Sequence, residues 1–530
     1  MASRKTITGL AKRVAKEIAD GRPGDEAFHV SQILQAEPEA ALDLVELSLA
    51  EAGKKRPGEL LLSAYVFLLG QTLEALRYGI EAGQGGAAAV VEAVRHRLLA
   101  AGRGGEAEPP VILLLLAAFG TAKVDPGPDL RAMVSELLEG EIGQAPGEPE
   151  LGQIDIAAYV GELVEAARGD PFALFGEMQE TGEALPDDHR AAMAAMLLYA
   201  GEPAGREAAI GWLLDPSPAV GERVAHQLEE AAAHGLVSGT MLRRMIAMRN
   251  WVAEAGRPAL DRAIQACRRQ GCACAPWPEV ELREVRVAGV DGSGALGVLA
   301  QSREGRRSAL ASVLMKHGIG IRDAWAQHGM TRREIDETLL QLASLDQVVA
   351  DVEFLTTAVG HFLATSLASG FPVPFGLIDA VEAAGLPSVQ PSAVSTDALL
   401  ATIRGSAEPA ELEGAALERL LAAGRDLPRD CAFLESWFED SDQVQALLGG
   451  RRLARPAREA LVMEQLLEAR RSRWADLLAW SAFLLSRSRK QERWPELYAA
   501  AQALLEGRPV GEIPVMRHVA AQTVAAFARR

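Results

Sequence analysis

Between Ala209 and Ala231 the chain reads AIGWLLDPSPAVGERVAHQLEEA, two apolar-periodic segments around a tight Asp-Pro-Ser-Pro turn. Ile210, Leu213 and Leu214 fall on one face of the first segment. Val220, Val224 and Leu228 recur at i, i+4 and i+8 on the second, the spacing of a single buried helical stripe. Proline has no N–H to donate and presets φ for a first turn, so each proline marks where a helix stops or restarts. A helix pair of this kind cannot bury its own apolar stripe. It needs a neighbouring pair, and the stretch therefore predicts stacked helices.

Leu213-Leu214, then Asp215 in an Asp-Pro-x-Pro turn, then Val220 opening the second helix resemble a HEAT repeat. Gly221 stands where that family usually places arginine, with Arg223 two places later. The resemblance covers about two dozen residues and implies an α-solenoid architecture; it implies no particular activity. No fixed period repeats along the rest of the chain. The expected fold is accordingly mainly α, an irregular HEAT-like α-solenoid or set of helical bundles.

The 530 residues exceed one ordinary core, so several domains or an elongated repeat body are expected. Aromatic residues make up only 5% of the chain, and with alanine and leucine abundant this favours helix over sheet. A formal charge of −18 repels phosphate at long range, which argues against whole-surface contact with nucleic acid or anionic lipid. Four cysteines cannot staple a chain of this size, and three of them lie within eight positions, so a reducing compartment is expected. The first twenty residues lack a long apolar run and carry Glu17 and Asp20, unlike a signal peptide. Val111–Phe119, the most apolar run, is about half the ~20 residues of a membrane span. A cytoplasmic bacterial protein without a membrane span is the expectation, the bacterial source resting on an Ala-, Gly- and Arg-rich bias.

Breaker-rich stretches divide the chain into an N-terminal helical domain over 1–142, a HEAT-like region over 154–275, a small α+β domain over 276–350, a helical connector over 351–387 and a C-terminal helical domain over 396–530. The linkers are 143–153 and Ser388–Ser395. The α+β insert, near 278–345, rests on a change of period. Val285 and Val287 alternate with polar neighbours, Asp291-Gly292-Ser293-Gly294 supplies a turn, and Ala295–Ala300 and Ser308–Lys316 read as further strands. Thr331 and Glu334 stand at capping-box spacing ahead of a helix with Ile335, Leu339 and Leu342 on its stripe. A three-stranded antiparallel sheet with one covering helix is expected.

Several residue groups could carry chemistry. Cys267, Cys272 and Cys274, beside Arg268 and Arg269, suggest a metal or redox role, but C-x4-C-x-C is not a zinc-knuckle spacing. Val290–Gly294 lacks the partners of a phosphate loop or nucleophile elbow and reads as a hairpin turn. His317 and His328 flank Asp323, and a His/Asp pair can transfer protons when it converges in a pocket. Glu435, Glu439, Asp440 and Asp442 surround Trp437 and Phe438 without EF-hand spacing. Arg470, Arg471, Arg473, Arg487, Arg489, Lys490 and Arg493, interleaved with Trp474, Trp480 and Trp494, form the one basic region and are the candidate contacts for an anion or nucleic acid. No residue is assigned as catalytic, cofactor-binding or metal-ligating, and no cofactor is expected. The function expected is a non-catalytic helical-repeat scaffold or adaptor that binds another protein. The alternatives are a nucleic-acid accessory protein using the basic C-terminal helices, or an enzyme with a site near the small sheet.

Overall fold

The computed structural model describes the chain except for residues 1–3, 20–23, 36, 145–155, 342–346, 387–388, 407–411, 451–452, 490–491 and 530. The linker over 143–153 thus falls almost wholly outside the described residues, as do Leu342 and Lys490. The fold is mainly helical with one five-stranded antiparallel sheet. It divides into two compact units, Met1–Trp212 and Leu213–Arg530.

The first unit is helical. Its Arg4–Ala19 helix buries Ile7, Leu10 and Val14, which recur at helical spacing on one face. The Glu59–Glu81 helix is long and apolar enough, by length and composition, to cross a membrane. Here Tyr65, Leu68, Leu69, Leu73 and Leu76 are buried, and the helix packs on Arg4–Ala19, Ala40–Ala52 and Pro109–Ala122.

The first half of the 209–231 stretch differs from expectation. The α-helix, Pro203–Ala209, stops early, and Ile210–Leu214 is a tighter 3-10 turn. Packing explains the change. A Cβ on Gly211 would sit 2.4 Å from the Phe175 ring, and that ring meets Trp212 edge-on at 4.8 Å between centroids. The division between the two units falls at Trp212, inside the stretch.

In the second unit the Pro218–Ala233 helix follows the turn, in which Asp215 accepts the Ser217 N–H at 2.8 Å. It buries Val220, Val224 and Leu228 and packs on the Arg257–Arg269 helix. The sheet comprises β1 Glu281–Ala288, β2 Ala295–Glu304, β3 Arg307–Lys316, β4 Gly320–Met330 and β5 Gln347–Ala350, in the order β4-β3-β2-β1-β5. All neighbours are antiparallel. The sequence reading finds β1 to β3 and misses the two edge strands. β4 carries Arg322, Asp323 and His328 and begins on a glycine, and β5 is four residues long, so neither shows clean alternation.

One face of the sheet, with Val298, Ala300, Ala311 and Val313, meets Leu355 and Val359 of the Val352–Ser369 helix and Ala380 and Val381 of the Gly376–Ala383 helix. On the opposite face Leu310 and Met330 cluster with Ile335 of the Arg332–Gln341 helix. That helix begins with the predicted capping box. Glu334 accepts the Thr331 N–H at 2.7 Å, and the Thr331 hydroxyl accepts the Glu334 N–H at 3.3 Å. Beyond β5, Ser488 forms a bridge with Ala350 and the Arg489 N–H donates to Val349 O, so the C-terminal chain closes that edge.

Candidate functional site

After the Arg257–Arg269 helix the chain runs without regular secondary structure from Cys272 to β1. The segment is held at several points: the Ala275 N–H donates to Gly239 O at 3.1 Å, the Cys272 thiol donates to Val237 O at 3.4 Å, and Pro276 O accepts from Arg243 Nη1 at 2.8 Å. Trp277, Pro278, Glu279, Val280 and Glu281 then form one wall of an open cleft of about 670 Å³, completed by Arg303, Gly305 and Gly385.

The position of Trp277 is set from beneath. The Arg243 guanidinium lies 5.6 Å from the indole centroid. Arg243 and its neighbour Arg244 both bond the buried Glu382, at 2.8 Å and 2.9 Å. A carboxylate taken out of water must be satisfied in this way or it would not stay charged. On the rim Glu279 and Glu281 are exposed, Glu281 pairs with Arg283 at 2.5 Å, and Arg303 Nε is bound to Gly305 O. An aromatic wall, a proline ring and two solvated carboxylates together suit a ligand with an apolar stem and a cationic head.

The histidines flagged by sequence do not converge. His317, in the β3–β4 turn, bonds Asp476 through Nδ1 at 2.9 Å, whereas His328 on β4 pairs with Asp379 at 2.8 Å. Asp476 also accepts the Thr396 hydroxyl at 2.9 Å. Burial raises the Asp476 carboxyl, but the hydrogen bond to and charge of His317, together with the Thr396 hydroxyl, hold it below the ordinary value. His361 accepts the Val394 N–H at Nδ1 and packs against Trp480 with ring centroids 4.9 Å apart and the planes tilted by 46°. Burial lowers its pKa, against the charge of Asp476, so it is held neutral with the proton on Nε2. This cluster joins the sheet to three helices. Among the described residues no group of three or more His, Cys, Asp or Glu is placed to hold a metal ion.

Every described arginine of the basic set has an acidic partner within the chain. Arg470 and Arg473 meet buried Glu439, which also accepts the Trp474 indole N–H at 2.9 Å. Arg471 pairs with Glu468, Arg487 with Glu353, Arg489 with Glu284 at 3.8 Å, and Arg493 with Asp430 and Glu496. Arg473 also donates to Gly292 O at 2.6 Å, and Trp437 Nε1 donates to Val290 O at 2.8 Å. The Val290–Gly294 stretch is therefore a hairpin turn docked on the C-terminal helices. A Cβ on Gly292 would fall 2.1 Å from Ser436 O, so only glycine allows that approach. Glu439 thus acts as an internal strut, away from any cluster with Glu435 or Asp442.

Sequence reasoning passes over Trp277, Glu382 and Asp476. For Trp277 a signal was present: the run Pro276-Trp277-Pro278 holds an aromatic side chain in an extended, proline-flanked segment. Asp476 sits on a helix far along the chain from His317, and nothing local marks it.

Residues 397–528 match the family model described as Y4lR C-terminal helical domain, and residues 186–271 match the one described as Y4lR second domain. A protein of Sinorhizobium fredii described as uncharacterized protein y4lR is 28% identical over 386 residues, covering 71% of this chain and 72% of that relative. No solved structure matches.

Proposed function

We propose that this chain is a protein-binding scaffold of the bacterial cytoplasm, built on HEAT-like helix packing, that docks a partner presenting lysine or arginine side chains. The cleft beside Trp277 carries the reading: its indole and proline surface would cover an aliphatic stem, and Glu279 would meet the charge, with Glu281 adding to it by exchanging its exposed partner Arg283 for the ligand. The formal charge of −18 favours the approach of such a partner. Packing of the Pro218–Ala233 helix on Arg257–Arg269 supports the helical-repeat part of the proposal. The alternative use of Arg470, Arg471, Arg473, Arg487, Arg489, Lys490 and Arg493 to hold nucleic acid would require the described arginines to leave acidic partners they already have.

The test is fluorescence anisotropy with a labelled oligo-arginine peptide, titrated with the wild-type chain and with Trp277→Ala. That substitution leaves net charge unchanged and removes the aromatic wall. Affinity should fall at least fivefold, and further in Glu279→Gln/Glu281→Gln. Equal affinity for wild type and Trp277→Ala would reduce the interaction to diffuse charge and overturn the proposal.

A further inference from the structure

The C-terminus of the Arg257–Arg269 helix is closed by a Schellman motif. Gly271 takes the left-handed conformation at φ +73°, its N–H donates to Arg268 O at 3.1 Å, and the Cys272 N–H donates back to Cys267 O at 3.0 Å. In this motif the residue two places past the cap and the third residue from the helix end make a side-chain contact, ordinarily apolar. Here both positions are cysteine. The backbone bond between Cys267 and Cys272 brings the two residues side by side, as a disulfide requires, whose Cα atoms lie about 4.4–6.8 Å apart.

Four cysteines are free in this structure. Cys267 is buried, Cys272 half-buried, and Cys274 exposed. Burial pushes the Cys267 thiol up to about 11, and the neighbouring Cys272 adds to the rise. Cys272 is raised as well, by burial and by Cys274. The thiols sense one another and remain protonated near neutrality, so each must lose its proton before it can react.

We propose that Cys267 and Cys272 form a reversible redox-modification site, closing to a disulfide across the helix cap when a low-molecular-weight disulfide is supplied. The half-buried Cys272 reacts first. Once its proton has passed to water, its sulfur attacks one sulfur of glutathione disulfide; that S–S bond breaks and one glutathione leaves, taking up a proton. The Cys267 sulfur, after losing its own proton, attacks the Cys272 sulfur of the mixed disulfide and expels the second glutathione, which is protonated in turn. Two protein thiols are oxidised by two electrons, and one glutathione disulfide is reduced to two glutathione molecules. The new bond replaces the thiol donor to Val237 O and ties the start of the irregular 272–280 segment to the helix.

The chain carries a convenient assay. Arg268 and Arg269 lie between the two cysteines, so trypsin separates Ala263–Arg268 from Gln270–Arg283 unless a disulfide joins them. The full-length protein is incubated with glutathione disulfide at mildly alkaline pH, acid-quenched, alkylated in urea, digested and read by mass spectrometry. The expected product is the linked pair, two hydrogens lighter than the separate peptides together, with alkylation of Cys267 falling at least tenfold and returning after dithiothreitol. Cys274→Ser should retain the linked pair and Cys272→Ser should lose it. Full alkylation of Cys267 after oxidation, or a linkage that survives Cys272→Ser and vanishes in Cys274→Ser, would overturn the assignment.

Discussion

Two half-buried titratable side chains, Glu183 and His361, give the two units opposite responses to pH. In the first unit burial raises the Glu183 carboxyl to about 8, opposed by Arg131 and Lys123. Its folded pKa lies above the unfolded 4.5, so the folded state keeps a proton that the unfolded state has lost between those values. Stability therefore falls as pH rises from 4.5 to 8. In the second unit His361 has a folded pKa below the usual 6.5 because of burial. The unfolded state takes up a proton first, so stability falls as pH drops below 6.5. Asp476, also depressed, adds a further loss as pH falls below 3.8. Glu183→Gln should accordingly raise stability by about 1–3 kcal/mol at pH 8 and leave it little changed at pH 4.5. Paired thermal melts at the two pH values check this; equal shifts at both would mean that Glu183 is not held protonated.

At the scale of single elements, what the sequence shows depends on which neighbours an element needs. The Pro218–Ala233 helix is legible because its stripe of Val220, Val224 and Leu228 is periodic and its start is marked by proline. The Arg332–Gln341 helix is legible because Thr331 and Glu334 cap it locally. The turn at Ile210–Leu214 is not, because its 3-10 geometry follows from the contact of Gly211 with Phe175, 36 positions away. β4 is not legible for a similar reason. Its polar residues find partners on other elements, as His328 does in Asp379, and those partners leave no trace in the local pattern. The candidate site was legible only in part: the cysteines and His317 stand out by type, but Trp277, Glu382 and Asp476 gain meaning from placement. One substitution tests the helix packing. Val224 is 1% exposed, so Val224→Asp places an unpaired carboxylate in the interface with the Arg257–Arg269 helix. A loss of about 3–5 kcal/mol is expected, read as a lower denaturant midpoint. An unchanged midpoint would contradict the burial.

Charge acts at the scale of the whole molecule. Acidic residues outnumber basic ones by 72 to 54, and each described arginine of the basic region is paired internally. The long-range field therefore favours cationic partners and repels nucleic acid. Raising salt from about 50 to 300 mM shortens the Debye length to roughly 6 Å, so oligo-arginine binding should weaken several-fold. A labelled single-stranded oligonucleotide should show no saturable binding in the same buffer. Saturable, salt-sensitive oligonucleotide binding lost in Arg489→Glu would favour the nucleic-acid alternative.

The docking of the Val290–Gly294 turn also bears on how the protein is made. Trp437 reaches Val290 across 147 residues and Arg473 reaches Gly292 across 181. Translation delivers the hairpin well before either partner has left the ribosome, so its tip must wait, undocked, while the later helices are synthesised. A message truncated ahead of codon 437 would release a polypeptide whose hairpin never finds its seat, a natural client for chaperones and proteases.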